Sequence, residues 1–135
     1  MIFGIGIDTI EVPRIARSIE LYGDQFLNRI FSPEEIQYCA KRPHAAEHFA
    51  ARFAAKEAYA KVLGTGVRRG FVWKHVAVLK EPSGRPFLRL LGEMQERAKH
   101  IIGSDFIIQL SLSHTKEYAE AIVTIENPLS NSQLY

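Results

Sequence analysis

Between Phe49 and Leu63 the chain is apolar except at Arg52, Lys56, Glu57 and Lys61. The stretch reads as a helix. At about 100° per residue, Arg52 and Lys56 fall on one side of a stripe made by Phe49, Phe53 and Ala60, and Glu57 and Lys61 fall on the other. Glu57 and Lys61 stand at i,i+4 in the favourable order, a pair that stabilises a helix by about 0.2–0.5 kcal/mol. Arg52 and Lys56 are like charges at the same spacing and repel unless an anion lies between them. Burying a lone charge costs several kcal/mol, so these side chains must either reach water or line a polar site. Arg52 and Lys61 lie about 180° apart around the axis. All four charges can therefore serve one ligand only if it is extended or lies at a subunit interface.

Other candidates lie far off in the chain. Asp8 closes an apolar run, IFGIGIDT at 2–9, in which Gly4, Gly6 and Asp8 share one strand face. A carboxylate there either faces a metal or solvent, or simply leads the helix that follows. His114 ends FIIQLSLSH and continues the face of Phe106, Ile108, Leu110 and Leu112; alone it reads equally as a capping or surface residue. His44 and His48 have the spacing of two ligands on one helix face, but Pro43 precedes them and no third ligand is near in sequence, so no zinc site is expected. The loop GTGVRRG after Leu63 lacks the Lys-Ser/Thr of a phosphate-binding P-loop, yet its glycines suit a cover over a ligand.

The elements that must hold these residues are legible in outline. A strand over 2–9 leads to a helix from Pro13 to about Tyr22, stopped by Gly23. On it Ile15 and Ile19 face inward. Arg14 and Arg17 share an outer side with Leu21 nearby, a surface suited to an acidic partner or simply to water. Ser32, Pro33 and Glu35 form a capping box that starts a helix ending near Lys41 or Arg42, with Phe31 placed to staple Ile36. The long helix occupies about 45–63, with Gly64 as its stop. Strands over 71–80 and from about Phe87, a helix over roughly 90–101 and a hairpin around Thr115 and Lys116 complete the order. The whole is an α+β domain over 1–126 with mostly antiparallel pairing, followed by a polar tail at 127–135.

Composition narrows the function. A net charge of +2 lacks the overall basicity of a non-specific nucleic-acid binder, and no nucleic-acid partner is expected. One cysteine, Cys39, permits no internal disulfide. The apolar N-terminus has neither a basic leader nor a cleavage site, and no apolar run is long enough to span a bilayer. A cytoplasmic protein without membrane contact is expected.

Three separated segments closely resemble the signature segments of the holo-acyl-carrier-protein synthases, the small 4′-phosphopantetheinyl transferases: GIGIDTIEVPRI at 4–15, FAARFAAKEAYAKVLGTG at 49–66 and SLSHTKEYAEAIV at 111–123. FSPEEIQYC at 31–39 and SGRP at 83–86 look like further counterparts. The resemblance implies the fold of that family and transfer of the 4′-phosphopantetheine arm of coenzyme A to a serine of apo acyl carrier protein, with magnesium required. It implies Asp8 and Glu57 as metal ligands; with these two, Lys61 is expected to be catalytic, since its ammonium can neutralise the charge that develops on the leaving side. Arg52, Lys56, Lys61, Gly64, His114 and Thr115 are implied around coenzyme A, and Arg14, Arg17 and Leu21 on the face that docks the carrier. It also implies a homotrimer with sites between subunits; Gly4 and Gly6, which permit close approach, and the apolar strand surface fit such association.

The chemistry agrees. Attack of a hydroxyl on a pyrophosphate calls for positioning and positive charge rather than covalent catalysis. Two carboxylates can hold magnesium while leaving positions for water and phosphate oxygens. The proton of the serine can pass to Glu57, to a metal-bound water or to His114. Two other readings stay open: a non-catalytic module that binds coenzyme A or a carrier protein, and another magnesium-dependent phosphoryl enzyme such as a nucleotide pyrophosphatase.

Overall fold

The computed structural model describes residues 1–68 and 70–128, so the expected tail lies, from residue 129 onward, outside the described residues. The elements run β1 (Ile2–Glu11), α1 (Val12–Tyr22), α2 (Asp24–Ile30), α3 (Pro33–Ala40), α4 (Ala45–Leu63), β2 (Val76–Lys80), β3 (Pro86–Leu90), α5 (Gly92–Ile102), β4 (Ile107–His114) and β5 (Tyr118–Glu126). β5 lies between β1 and β4 in a three-stranded antiparallel sheet, and β2 and β3 form a separate antiparallel pair. This is the α+β architecture with antiparallel strands that the residue pattern predicts.

α4 is the central element because it is built to be surrounded. Ala50, Ala51, Ala54, Ala55 and Ala58 are all at most 1% exposed, and the small side chains let neighbours approach on every side. The sheet covers one flank through β1 and β5, and α1, α3 and β2 pack around the rest. Gly64 ends the helix in the left-handed conformation, φ 79°, as its position predicts.

β1 meets α4 through its glycine face. A Cβ on Gly6 would sit 2.2 Å from the Ala58 carbonyl oxygen and 2.8 Å from Val62 Cγ2; one on Gly4 would sit 3.0 Å from Val62 Cγ1. The close approach expected of these glycines is therefore made within the chain. It does not serve a neighbouring subunit as the sequence reading supposed, because α4 already fills that face. The other face of the strand carries Ile5 and Ile7, which are 67% and 53% exposed.

The capping box on α3 is present as predicted, with Ser32 Oγ accepting from the Glu35 N–H and Glu35 Oε1 accepting from the Ser32 N–H. Three boundaries differ from expectation. α2 has no counterpart in the sequence reading: Gly23 at φ 54° turns the chain and a seven-residue helix begins at Asp24, too short for its period to stand out. The strand expected over 71–80 starts only at Val76, because Trp73–His75 form a single 3₁₀ turn, with Trp73 stacked on Phe53 at 4.9 Å between ring centroids. The helix expected from about residue 90 begins at Gly92, since β3 extends through Leu90.

Candidate active site

Asp8 and Glu57 come together because β1 runs antiparallel to α4. Gly4 lies on Val62 and Gly6 on Ala58, so the next inward residue of the strand, Asp8, falls beside the turn of α4 that carries Glu57 and Lys61. Lys61 Nζ donates to Asp8 Oδ1 at 2.8 Å and to the Ile7 carbonyl at 2.9 Å. Glu57 makes no hydrogen bond or salt bridge among the described residues. Burial, and then the charge of Asp8, raise its pKa above the ordinary value, while Lys61 and Arg14 oppose the shift.

Two neighbouring carboxylates, one of them without a hydrogen-bonded partner among the described residues, form a hard oxygen donor set that a divalent cation would satisfy. No group of three or more His, Cys, Asp or Glu side chains among the described residues could hold a metal ion. A cation here would thus take most of its coordination from water or a ligand, the usual situation of magnesium on phosphates.

A second cluster surrounds the start of α4. Arg52 is only 2% exposed, and its Nη1 donates to the His48 carbonyl at 3.3 Å. Its Nε has no hydrogen-bond partner among the described residues, and its Cζ lies 4.6 Å from the centroid of the Tyr38 ring. The His48 and His114 rings meet edge to face at 4.9 Å. His114 Nδ1 lies 2.9 Å from Glu47 Oε1. Burial first, and then the charges of His114, Arg52, Lys80 and Arg42, push the His48 pKa down. Arg52 and His114, both expected around coenzyme A, therefore belong to one basic cluster, about 13 Å along α4 and half a turn from Lys61.

Lys56 corrects the sequence reading. It was expected at a coenzyme phosphate, but its side chain is fully buried and its ammonium is spent inside the fold. Nζ donates to Glu35 Oε1 at 2.8 Å, to the Val76 carbonyl at 2.6 Å and to the Trp73 carbonyl at 3.1 Å. The anion that Lys56 needed is a residue of α3, not a ligand. Glu35 has a second duty beside its capping box, and its other oxygen accepts from the Val78 N–H at 3.0 Å. A capping glutamate gives no sequence signal of such a role.

The remaining candidates fall into place around these clusters. The surroundings of Gly64 are open. The hydroxyl oxygen of Thr115 accepts from the N–H groups of Glu117 and Tyr118, at 3.3 and 3.2 Å, which shapes the turn between β4 and β5. Arg14, Arg17 and Leu21 are exposed on α1, Leu21 at 61%. A hollow of about 420 Å³ is lined by Pro13, Ala16, Arg17, Glu20 and Leu21, and a second of about 370 Å³ by Tyr22, Gln25, Phe26 and Arg29. The sequence reading missed the α2 part of this face, and also missed Tyr38, Arg42 and Lys80. None carries a spacing signal; only the fold gathers them.

Residues 4–123 match the 4′-phosphopantetheinyl transferase superfamily, and the chain belongs to that family. It is 50% identical over 127 residues to the holo-[acyl-carrier-protein] synthase of Koribacter versatilis, covering 94% of this chain and 100% of the relative. Among solved structures it is similar to the holo-[acyl-carrier-protein] synthase of Neisseria meningitidis, with a TM-score of 0.81 and 31% identity over 94% of this chain and 100% of that one. It is also similar to a Bacillus anthracis holo-(acyl-carrier-protein) synthase in complex with CoA, with a TM-score of 0.75 and 36% identity over 94% and 98% of the two chains.

Proposed function

We propose that this chain transfers the 4′-phosphopantetheine group of coenzyme A to a serine hydroxyl of an apo acyl carrier protein, releasing adenosine 3′,5′-bisphosphate. The observation that carries the reading is the Asp8, Glu57 and Lys61 centre on two packed elements, in a chain 50% identical along nearly its whole length to a holo-[acyl-carrier-protein] synthase.

In the step itself, the serine oxygen bonds the phosphorus next to the pantetheine arm. The bond from that phosphorus to the bridging oxygen breaks, and the bisphosphate leaves with the electron pair. Asp8 and Glu57 are the residues that would hold magnesium, which when bound supplies charge neutralisation on the pyrophosphate. Lys61, anchored by Asp8 and the Ile7 carbonyl, offers an ammonium to the oxygens that gain charge as the bond breaks. A carboxylate oxygen of Glu57 accepts the serine proton. Glu57 is the carboxylate of the acidic centre with no hydrogen-bonded partner among the described residues, whereas His114 Nδ1 is engaged by Glu47 in the other cluster.

Arg52, His48 and His114 bind the phosphate charge of the coenzyme's nucleotide. Because they lie half a turn and about 13 Å from Lys61, the coenzyme joins the acidic centre of one subunit to the basic cluster of the next. The exposed outer face of the sheet, with Ile5, Ile7 and Ile122, supports assembly as a homotrimer. A monomer by light scattering at micromolar concentration would overturn this. The carrier docks on Arg14, Arg17 and Leu21, so its affinity falls with added salt. No helix among the described residues is long and apolar enough to cross a membrane.

Incubation with magnesium, coenzyme A and apo carrier protein, followed by mass spectrometry of the carrier, tests the function. Gain of the phosphopantetheine mass is expected. Binding without gain would favour a non-catalytic module, and coenzyme cleavage without carrier would favour a pyrophosphatase.

A further inference from the structure

Tyr38 lies on α3 one turn after Glu35, and three cations from three parts of the chain gather on its ring. Arg42, just beyond α3, has its Cζ 4.1 Å from the ring centroid; Arg52 of α4 has its Cζ at 4.6 Å; Lys80 at the end of β2 has its Nζ at 5.2 Å. Each is attracted by the ring's negative face. Yet the three repel one another, and none forms a salt bridge with a carboxylate among the described residues. The Lys80 ammonium beside the phenol is the foremost cause that lowers the Tyr38 pKa, and burial opposes it. Beside the ring a cavity of about 480 Å³ is open to solvent, lined by Glu34, Gln37, Tyr38, Lys41, Arg42 and Pro43.

Three unneutralised cations held around one aromatic ring, one of them 98% removed from solvent, are arranged for a compact anion of more than one charge. A lone cation would be hydrated and mobile, and a phosphate would have to order it on arrival. Here the ring has already ordered the set. The α3 helix that carries the ring is itself fixed, because Glu35 ties it to Lys56 and to the Val78 N–H.

We infer that Tyr38 is a positioning residue for donor recognition: its ring pre-organises Arg42, Arg52 and Lys80 to receive the phosphomonoester dianion on the coenzyme's ribose. The inference rests on coenzyme A being the donor. It adds Tyr38, Arg42 and Lys80 to the recognition of that donor, and it assigns the ring, rather than a further charge, the work of holding the set together.

The test compares Tyr38→Leu and Tyr38→Phe with the unsubstituted protein, using coenzyme A and dephospho-coenzyme A as donors at saturating carrier. For Tyr38→Leu, the KM for coenzyme A rises roughly tenfold while kcat stays within about twofold, as expected when only ground-state binding is lost. Tyr38→Phe keeps the ring and retains most of the affinity. With dephospho-coenzyme A, which lacks the monoester, Tyr38→Leu changes KM little. An unchanged KM for coenzyme A, an equal rise for both donors, or a Phe variant as weak as the Leu variant would each overturn the inference. Should Tyr38→Leu fail to fold, Lys80→Gln, at an exposed position, supplies the same comparison. Failure of the unsubstituted protein to transfer from coenzyme A at all would instead sink the reading of function.

Discussion

Glu35 and Lys56 meet at 2.8 Å with both side chains fully buried, and each has further partners that leave little of its charge unmatched. Removing one member of such a pair strands the other in the core. Lys56→Met is therefore expected to destabilise the fold by about 3–5 kcal/mol, measured by denaturant unfolding. The fraction that remains folded should keep its KM for coenzyme A within roughly twofold, because Lys56 faces no ligand. A large rise in KM without loss of stability would restore Lys56 to the binding site.

Sequence made one half of the site more legible than the other, for a physical reason. Asp8, Glu57 and Lys61 sit on regular elements whose periods place them on known faces, and glycine spacing on β1 announced the close contact that brings them together. The cluster around Tyr38 depends on where α3 and β2 lie relative to α4, which no local pattern encodes. For the same reason spacing alone misplaces Lys56: its distance from Arg52 along the helix requires an anion, and only the packing of α3 identifies that anion as Glu35. α2 was missed because two turns of helix behind a glycine carry too little periodicity.

Gly6→Ala probes the contact that sets the acidic centre. Its Cβ would meet the backbone oxygen of Ala58 at 2.2 Å, so β1 and α4 must part. Overpacking of this kind costs about 1–3 kcal/mol, and here it also separates Asp8 from Glu57. Turnover is expected to fall on the order of ten- to a hundredfold, beyond what the melting curve accounts for. Unchanged kcat with lowered stability would mean that the spacing of the carboxylates is not critical.

Glu57 predicts a proton signature of metal binding. Burial and Asp8 raise its pKa, so the metal-free protein takes up a proton there at higher pH than an ordinary glutamate does. A divalent cation needs the carboxylate ionised and must displace that proton. Calorimetric titration with magnesium in buffers of different ionisation enthalpy should show proton release that grows as pH falls toward the Glu57 pKa. Glu57→Gln should abolish it. Release that is independent of pH, or that survives in Glu57→Gln, would place the metal elsewhere.

Cys39 gives a pH dependence of stability with a definite sign. It is fully buried, and burial pushes its thiol from 9.0 up to about 11. The unfolded chain then loses this proton at lower pH than the folded one, so stability falls as pH rises from 9.0 toward about 11. The slope from this one group approaches 1.4 kcal/mol per pH unit within that window. Unfolding curves of the unsubstituted protein and Cys39→Ala should diverge there in just this sense. Parallel curves would show the thiol titrating alike in both states.

Mixed subunits test whether the acidic centre and the basic cluster belong to one site. Glu57→Gln and Arg52→Ala each remove one half, and each is assayed alone at coenzyme concentrations where it is nearly inactive. If the coenzyme bridges neighbouring subunits, a refolded equimolar mixture contains interfaces with Glu57 from one chain and Arg52 from the next. Random assembly into a ring gives such an intact pairing at about one interface in four, and a matching fraction of the original activity should return. Recovery requires chain exchange, so the same mixture without unfolding should stay inactive. No recovery after verified exchange would mean that both halves serve a donor bound within a single subunit, and the half-turn between Arg52 and Lys61 would then have to be spanned around α4 itself.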